Sequence, residues 1–309
     1  MKLIPQDGLF DETSRHARFL ELLINKNTDV SSLTVALKSL LDYANTIDGL
    51  YIQLAFGASL WDRLNPSWRP QELIPFTDLV AGDLSMLGSQ GDLLIWLHSA
   101  DGELIPEALI TVYQTMESLV DIQLDIEGIK NKQSRDLIGF VDGTANPKDD
   151  QRLAAALIPE GELGAGGSYV ISQRWQHDLK SFNQLAISKQ EKIVGRTKED
   201  DVELEGDAMP ENSHVSRTDA EVKGVAMKIF RRSYPYMASQ LSLDETPDHG
   251  LYFFAFACEM QRFTVQLDRM MGLVPDGITD ALMQYSKAKN SSYWFMPNKA
   301  DLNSVLQQK

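Results

Sequence analysis

Cysteine and histidine are scarce in this chain, and their scarcity limits the metal sites and covalent frameworks that it can build. Among 309 residues there is one cysteine, Cys258. A single cysteine excludes an intrachain disulfide framework and any metal site that needs several thiolates. Nitrogen ligands for a metal must therefore come mainly from the five histidines, which are His16, His98, His177, His214 and His249.

Basic residues and long apolar runs are also in short supply. The chain has 29 Lys and Arg against 44 Asp and Glu, a formal charge of −15. This acidity disfavours nonspecific binding to nucleic acid or anionic membranes, which depends on basic side chains. The longest apolar run, residues 251–258, is far shorter than the ~20 residues that span a bilayer. Because residues 1–10 also contain no apolar signal segment, we expect a cytoplasmic protein without nucleic-acid or membrane partners.

The overall composition, 43% hydrophobic and 24% charged, is that of a globular protein with room for one large domain or two ordinary ones. Within the first third, apolar periodicities predict alternating strands and helices. Asp29 or Ser31 is a candidate N-cap for the first helix. Residues 65–91, with three Pro and three Gly, predict an irregular connection. The predicted strands are residues 16–24, 51–56, 92–98 and 120–126, and the second predicted helix is residues 104–119.

The second half repeats this order of elements, although no clear sequence repeat is visible. Its order is typical of a ferredoxin-like split βαβ unit. We therefore expect an α+β fold of two tandem ferredoxin-like halves, a duplicated split βαβ with antiparallel sheets, divided near residues 139–148 into domains 1–138 and 139–309. In this half the predicted strands are residues 168–175, 225–231 and 251–258, and the predicted helices are residues 179–189 and 259–271.

Three segments carry candidate functional residues, each with a simpler structural alternative. Residues 136–147, DLIGFVDGTANP, present Asp142 at a turn between glycines, but an isolated Asp-Gly pair is more often a plain turn. His214 in NSHVSR is, by itself, more often a hydrogen-bonded structural histidine than a metal ligand. Arg231 and Arg232 point to opposite faces of a predicted strand, and a solvated strand end is the simpler interpretation.

Together these segments resemble the dye-decolourising haem peroxidase family, in particular its cytosolic bacterial branch of the iron-dependent peroxidase type. The resemblance covers nearly the whole chain and implies the family's pair of ferredoxin-like halves, with haem held mainly by the second half. The segments that carry it are GFVDGTANP (139–147), GGSYVISQRWQHDL (166–179), IVGRTK (193–198), SHVSR (213–217), IFRRSYPY (229–236) and YWFMP (293–297).

The resemblance implies one haem b per chain and assigns the residues that hold it. His214 corresponds to the axial ligand of the haem iron, and Asp280 to the aspartate that holds this histidine. A carboxylate in that position fixes the imidazole tautomer and increases its donor strength. Arg196, from the GRTK segment, corresponds to the arginine that contacts a haem propionate. His177 lies in a family-like segment, and its role is structural or at the haem rim.

On the distal side of the haem the resemblance assigns Asp142, Arg231 and Ser233. A positioned carboxylate moves a proton between the two peroxide oxygens. A guanidinium stabilises the charge that develops as the O–O bond breaks. Because an ordinary aspartate stays ionised down to about pH 4, we expect activity favoured on the acid side. These residues predict a peroxidase that reduces hydrogen peroxide through a ferryl intermediate and oxidises dyes, phenols or porphyrinogens by one-electron steps.

Two other classes of function remain open at the level of the sequence. A haem-binding, haem-delivery or porphyrin-processing protein would use the same pocket without peroxidase turnover. An acidic ferredoxin-like interaction module would bind no haem at all. A pure carrier needs His214 but not Asp142 together with Arg231, so the residues favour chemistry. The partners we expect are hydrogen peroxide and small organic reductants, and the resemblance suggests a homodimer or higher homo-oligomer.

Overall fold

Thirteen β-strands and nine α-helices are formed by the residues that the computed structural model describes, 4–237 and 248–307. The strands are β1 (His16–Ile24), β2 (Leu50–Phe56), β3 (Leu79–Ala81), β4 (Leu84–Met86), β5 (Leu93–Ser99), β6 (Val120–Ile129), β7 (Ser168–His177), β8 (Glu221–Val222), β9 (Val225–Ala226), β10 (Phe230–Arg231), β11 (Tyr234–Met237), β12 (His249–Ala257) and β13 (Ser286–Met296). The helices are α1 (Val30–Ala44), α2 (Ala58–Leu64), α3 (Leu104–Met116), α4 (Asp149–Ala156), α5 (Leu179–Asn183), α6 (Ile187–Val194), α7 (His214–Thr218), α8 (Gln261–Met270) and α9 (Lys299–Leu306).

Nine of the strands form one antiparallel sheet that closes on itself. Their order is β10-β12-β11-β6-β1-β5-β2-β13-β7, and β12 also pairs with β7. The first half of the chain supplies β6-β1-β5-β2, and the second half supplies the rest. The two groups meet at two seams, each with a single residue pair: Tyr236 opposite Gly128, and Phe295 opposite Phe56. The expected α+β fold with antiparallel sheets is confirmed, but the sheets are joined into one barrel-like structure.

The barrel strands carry apolar side chains on both faces, because each face packs against a separate core. On β5, Leu94 and Trp96 belong to the core inside the barrel, whereas Leu93, Ile95 and Leu97 belong to the core between the barrel and its helices. Successive strand residues point to opposite faces, so both faces are buried here. The described part of the chain contains no helix with the length and apolarity needed to cross a membrane.

The first strand and the first helix agree with the sequence predictions. Strand β1 has the predicted bounds. Helix α1 is capped by Asp29, whose Oδ1 accepts a hydrogen bond of 2.8 Å from the backbone N–H of Ser32. Two details were missed around the irregular segment: the seven-residue helix α2, and the short hairpin of β3 and β4.

Two elements that were predicted as continuous are each divided in the structure. At each break, backbone carbonyls accept hydrogen bonds from side chains. The helix predicted over residues 179–189 is two helices, α5 and α6, and Gln190 donates from Nε2 to the carbonyls of Phe182 and Leu185, both at 3.1 Å. The strand predicted over residues 225–231 is interrupted between β9 and β10. There the carbonyls of residues 227 and 228 accept hydrogen bonds from side chains of helix α8.

The seam at which Tyr236 lies opposite Gly128 leads to a prediction about stability. A Cβ added at Gly128 would lie 2.5 Å from the Cβ of Tyr234, so a side chain there forces the strands apart. We expect Gly128→Ala to lower the free energy of unfolding by about 1–3 kcal/mol, measured by urea denaturation. Ile129→Thr, which keeps a β-branched side chain at an exposed position of the same strand, is the control. Equal stabilities for the two variants would contradict the tight seam.

Candidate functional site

A deep cavity lies between the outer face of the second strand group and the helices that cover it. The volume that the centre of a water molecule can occupy inside this cavity is about 230 Å³. A single bound water needs roughly 10–15 Å³ on the same scale, so the cavity has room for a large ligand. Much of the wall is apolar, and it includes Ile171, Phe253, Phe263, Leu267, Met270 and Met283. Such a wall favours a ligand with a broad apolar surface.

His214 enters this cavity from the first residue of helix α7. Ser213 caps the helix, because its hydroxyl accepts a hydrogen bond from the Ser216 N–H. The Nδ1 atom of His214 lies 2.6 Å from the Oδ2 atom of Asp280. The Asp280 side chain is fully buried, whereas that of His214 is 29% exposed. An ionised carboxylate only accepts hydrogen bonds, so Nδ1 carries the proton and Nε2 keeps its lone pair for a ligand.

Asp280 is itself fixed by the backbone around it. Its Oδ1 accepts a hydrogen bond of 2.8 Å from the N–H of Leu282, which caps the 3₁₀ turn Ala281–Gln284. Its own N–H donates to the carbonyl of Met270 at the end of helix α8. The next N–H, of Ala281, donates to the carbonyl of Asn212, two residues before His214. The carboxylate and the imidazole are therefore oriented before any ligand binds.

Asp142 lies on the same cavity, in a turn that two glycines make possible. Its N–H donates to the carbonyl of Ser134 at 2.9 Å, which closes a small hairpin. Gly139 and Gly143 have φ values of +94° and +93°, in the left-handed region that favours glycine. A Cβ at Gly139 would also lie 2.5 Å from the Cε atom of Lys198. The Asp142 side chain is half-buried and contributes to the cavity wall.

Arg231 ends strand β10 and reaches the cavity, where it is tied to the Asp142 turn by Asn146. The Nδ2 atom of Asn146 donates to the Arg231 carbonyl at 2.8 Å, and its Oδ1 accepts from the Arg231 N–H at 2.9 Å. This side-chain amide pairs with the Arg231 backbone as a neighbouring strand would. Asn146 was not among the predicted site residues, because its only signal in the sequence is an amide in the segment DLIGFVDGTANP.

Arg232 and Ser233 do not lie on the cavity. The interpretation of Arg232 as part of a solvated strand end is wrong, because the residue is only 1% exposed. Its Nη1 donates to the carbonyls of Gly8 and Leu9, because the amino-terminal segment folds over it. Ser233 is equally buried, and its hydroxyl accepts a long hydrogen bond of 3.4 Å from the Phe254 N–H. It does not contribute to the described cavity wall, and its distal role stays a prediction.

Arg196 lies at the cavity wall but is held by two acidic side chains. Its Nε and Nη1 donate to Asp201 Oδ1 and Glu203 Oε2, both at 2.7 Å. Its Nη2 donates to the Asp201 carbonyl. A guanidinium has five N–H donors, so two remain for another acceptor. Asp201 also accepts a hydrogen bond from Thr144 in the Asp142 turn, which links this loop to the distal side of the cavity.

A second histidine in the cavity wall is already surrounded by protein partners. The Nδ1 atom of His177 lies 2.8 Å from the Ser286 hydroxyl, and its Nε2 lies 3.0 Å from Asp136 Oδ2. All three side chains are buried and contribute to the wall. Within the part of the chain that the structure describes, the His214 ring makes its hydrogen bond through Nδ1. The described residues contain no cluster of three or more His, Cys, Asp or Glu side chains that could hold a metal ion.

The cavity therefore provides one available imidazole nitrogen, a buried carboxylate behind it, and a carboxylate and a guanidinium on the same wall. A single imidazole suits a metal that brings its other ligands in a macrocycle, as haem iron does. A carboxylate partner behind the imidazole is the usual second-shell arrangement. The barrel and this donor set define the class of haem proteins with one axial histidine and polar groups for acid–base chemistry.

The chain belongs to the Dyp-type peroxidase family. The model of the family's amino-terminal part matches residues 8–130, and the model of its carboxyl-terminal part matches residues 133–301. Together they cover most of the chain, as the sequence resemblance predicted. The protein is therefore a peroxidase of the dye-decolourising type.

Individual relatives agree with this assignment. A dye-decolorizing peroxidase of Mycobacterium tuberculosis is 32% identical over 251 residues, which cover 80% of this chain and 73% of the relative. The crystal structure of a Dyp-type peroxidase protein from Shewanella oneidensis has a TM-score of 0.90 and 30% identity, and covers all of both chains. A DypB variant of Rhodococcus jostii, solved in complex with heme, has a TM-score of 0.86 and 31% identity over 98% of this chain and 97% of that one.

The Asn146 bridge leads to the second prediction. Asn146→Ala leaves the N–H and carbonyl of Arg231 without these partners, and we expect a loss of about 1–3 kcal/mol in unfolding free energy. Because Arg231 and Asp142 are then less well positioned, the rate of reaction with peroxide should fall about tenfold or more. Asn303→Ala, at an exposed position of helix α9, is the control. Equal rates for both variants would show that the bridge positions nothing.

Proposed function

We propose that this protein is a haem b-dependent peroxidase that reduces hydrogen peroxide and oxidises dyes, phenols or porphyrinogens by one-electron steps. The observation that carries the proposal is one cavity lined by His214, Asp142 and Arg231, with Asp280 hydrogen-bonded to His214 from behind. A protein that only carries haem needs the histidine. It has no need for a carboxylate and a guanidinium on the same cavity, with Asn146 joining the Asp142 turn to the Arg231 backbone.

The residues of the cavity fit a haem group. The apolar wall would accept the broad faces of a porphyrin, and Nε2 of His214 would bind its iron. Arg196 has two N–H donors left for a haem propionate beside those that it gives to Asp201 and Glu203. The heme-complexed relative from Rhodococcus jostii supports the same cofactor here.

On the proximal side, the work of the protein is to hold one imidazole. Asp280 accepts a hydrogen bond from Nδ1 of His214, which fixes the orientation of the ring and leaves Nε2 for a ligand. A buried carboxylate in this position increases the electron density on Nε2, which strengthens its bond to iron. Because Asp280 is held by three backbone contacts, this orientation costs no rearrangement when the cofactor binds.

On the distal side, the protein moves one proton and stabilises one charge. Bound haem supplies the iron that cleaves the peroxide bond and receives the two oxidising equivalents. Asp142 accepts the proton from one peroxide oxygen and delivers it to the other, directly or through one water, so that the second oxygen leaves as water. The Arg231 guanidinium stabilises the negative charge on the departing oxygen and cannot lose its own proton. Ser233, two residues after Arg231 and buried, is proposed as a further distal polar group.

The finer architecture is part of the same proposal. We infer that β6-β1-β5-β2 and β13-β7-β12 with β10 and β11 are two ferredoxin-like units, corresponding to domains 1–138 and 139–309. In support of haem bound mainly by the second unit, every described residue of the cavity wall lies at position 136 or beyond. A cytoplasmic location agrees with the unpaired Cys258. The proposed homodimer or higher oligomer is supported by the family resemblance.

The assignment of roles is tested by spectra and rates. Protein from haem-supplied cells should show a Soret band, and His214→Ala should lose it. Asp142→Ala and Arg231→Leu should keep the band but react with peroxide about 10²–10⁴-fold more slowly in stopped-flow measurements. Asp62→Ala and Arg69→Leu, which break an exposed ion pair on the first half, are matched controls. A Soret band that does not change on addition of peroxide to the wild type would favour the haem-carrier alternative.

The identity of the base is tested by pH. A carboxylate base remains ionised down to about pH 4, whereas an imidazole base is protonated below about pH 6.5. We therefore expect the rate of the peroxide step to stay high in mild acid and to fall only near the range of carboxyl groups. An acidic limb centred near the ordinary histidine pKa would show that Asp142 is not the base. Asp142→His should move the limb to that higher pH.

A further inference from the structure

A carboxylate with its own set of hydrogen bonds lies inside the barrel, on the opposite side of the sheet from the haem cavity. Glu21 on strand β1 is 1% exposed. Its Oε1 accepts hydrogen bonds from the hydroxyls of Tyr252 at 2.7 Å and Ser172 at 2.8 Å, and its Oε2 accepts a longer one from Ser292 at 3.4 Å. Trp294 donates in turn to Ser172. Two short hydroxyl donors, from Tyr252 and Ser172, suit an ionised carboxylate, which can only accept; the single proton of the Ser292 hydroxyl is shared with a closer acceptor, the Ser89 carbonyl at 3.1 Å.

Tyr252 connects this carboxylate to the cavity wall. Its neighbours along strand β12, Leu251 and Phe253, both contribute to the wall of the haem cavity. Because successive strand residues point to opposite faces, the Tyr252 ring lies on the inner face of the same strand. An electron that leaves this ring for the cavity crosses one layer of the sheet. Neither Tyr252 nor Glu21 has a part in the proposed peroxide chemistry.

We propose that Tyr252 and Glu21 form a proton-coupled redox pair that takes up one oxidising equivalent from the haem cavity when no reductant is bound. The inference rests on the proposed peroxidase function, which generates that equivalent. In the forward step the Tyr252 O–H bond breaks, the proton goes to Glu21 Oε1, and the electron would reduce, by one equivalent, haem that hydrogen peroxide has oxidised. In the return step a phenolic reductant gives one electron to the tyrosyl radical and loses its own O–H proton to solvent, while Glu21 returns its proton to the Tyr252 oxygen.

The proton acceptor lowers the free-energy cost of oxidising Tyr252 in an apolar interior. Removing an electron without moving the proton would leave a positive ring in a buried site, which is costly. When Glu21 takes the proton, the pair changes from one negative charge to none. Burial raises the pKa of Glu21, and this effect outweighs the hydrogen bonds and the charge of Arg174, which lower that pKa. The ionised form of Glu21 is therefore a stronger base than an exposed carboxylate.

Two other oxidisable rings in the same core inside the barrel, Trp96 and Tyr234, have the opposite electrostatic surroundings. The Arg232 guanidinium lies 5.0 Å from the centre of the Trp96 ring, and Lys130 lies 4.3 Å from that of Tyr234. A cation at this distance opposes the loss of an electron from the ring. The Tyr234 hydroxyl donates to the Ser14 carbonyl, which is not a base that can take its proton. Tyr234 is therefore a matched control inside the same barrel.

The test is a freeze-quench EPR measurement on the haem-loaded protein, mixed with one equivalent of hydrogen peroxide at neutral pH without reductant. The wild type should show a tyrosyl radical signal that narrows when the protein contains ring-deuterated tyrosine. Tyr252→Phe should lower this signal about tenfold or more, and Tyr234→Phe should leave it unchanged. Glu21→Gln keeps the size of the side chain but removes the base, and should lower the signal to the same extent.

Stopped-flow measurement of the peroxide reaction in the same samples separates the two proposals. Unchanged peroxide rates with a signal lost in Tyr252→Phe and in Glu21→Gln support the redox pair. An unchanged rate with an undiminished signal in Tyr252→Phe overturns the pair and leaves the peroxidase function standing. A wild type that does not react with peroxide overturns both. If Tyr252→Phe does not fold, as judged by its thermal unfolding, the result for Glu21→Gln decides.

Discussion

Closure of the sheet at two seams is the constraint on which the rest of this structure depends. Each seam joins the two strand groups through one residue pair, Tyr236 with Gly128 and Phe295 with Phe56. Closure removes the open edges that a pair of separate sheets would expose. Closure also gives every barrel strand one face that points into the barrel and one face that points outward. The inner faces must fill the barrel with side chains, and the outer face of the second group is left free to form the wall of a cavity.

The cavity is built by residues that are far apart in sequence but held by short polar contacts. Asp280 is oriented by the backbone around it and then orients His214. On the other side, Asn146 holds the Asp142 turn against the Arg231 backbone. The His214 ring and the Arg231 backbone are thus each held by a side chain that makes two hydrogen bonds. Catalytic geometry has to be accurate to fractions of an ångström, and such paired supports provide it without relying on the cofactor.

Local pattern was sufficient for much of the fold and for the candidate residues. Strand β1 and the Asp29 cap follow from periodicity and capping chemistry. The motif resemblance selected four residues that do share one cavity, which are Asp142, Arg196, His214 and Arg231. What could not be predicted depends on contacts between distant segments. The two seams are single residue pairs with no sequence pattern. Arg232 is buried because residues 8 and 9 cover it, more than 220 positions away in the chain.

The same alternation lets strand β12 serve two environments at once. Leu251 and Phe253 give the cavity an apolar wall, whereas Tyr252 joins a polar network inside the barrel. That interior is electrically asymmetric, with Arg232 and Lys130 near one set of rings and Glu21 near the other. An apolar residue of similar size would avoid the cost of burying Glu21, and buried charges are often no gain in stability over such a residue. The carboxylate is therefore better explained by what it does for Tyr252 than by what it adds to the stability of the barrel.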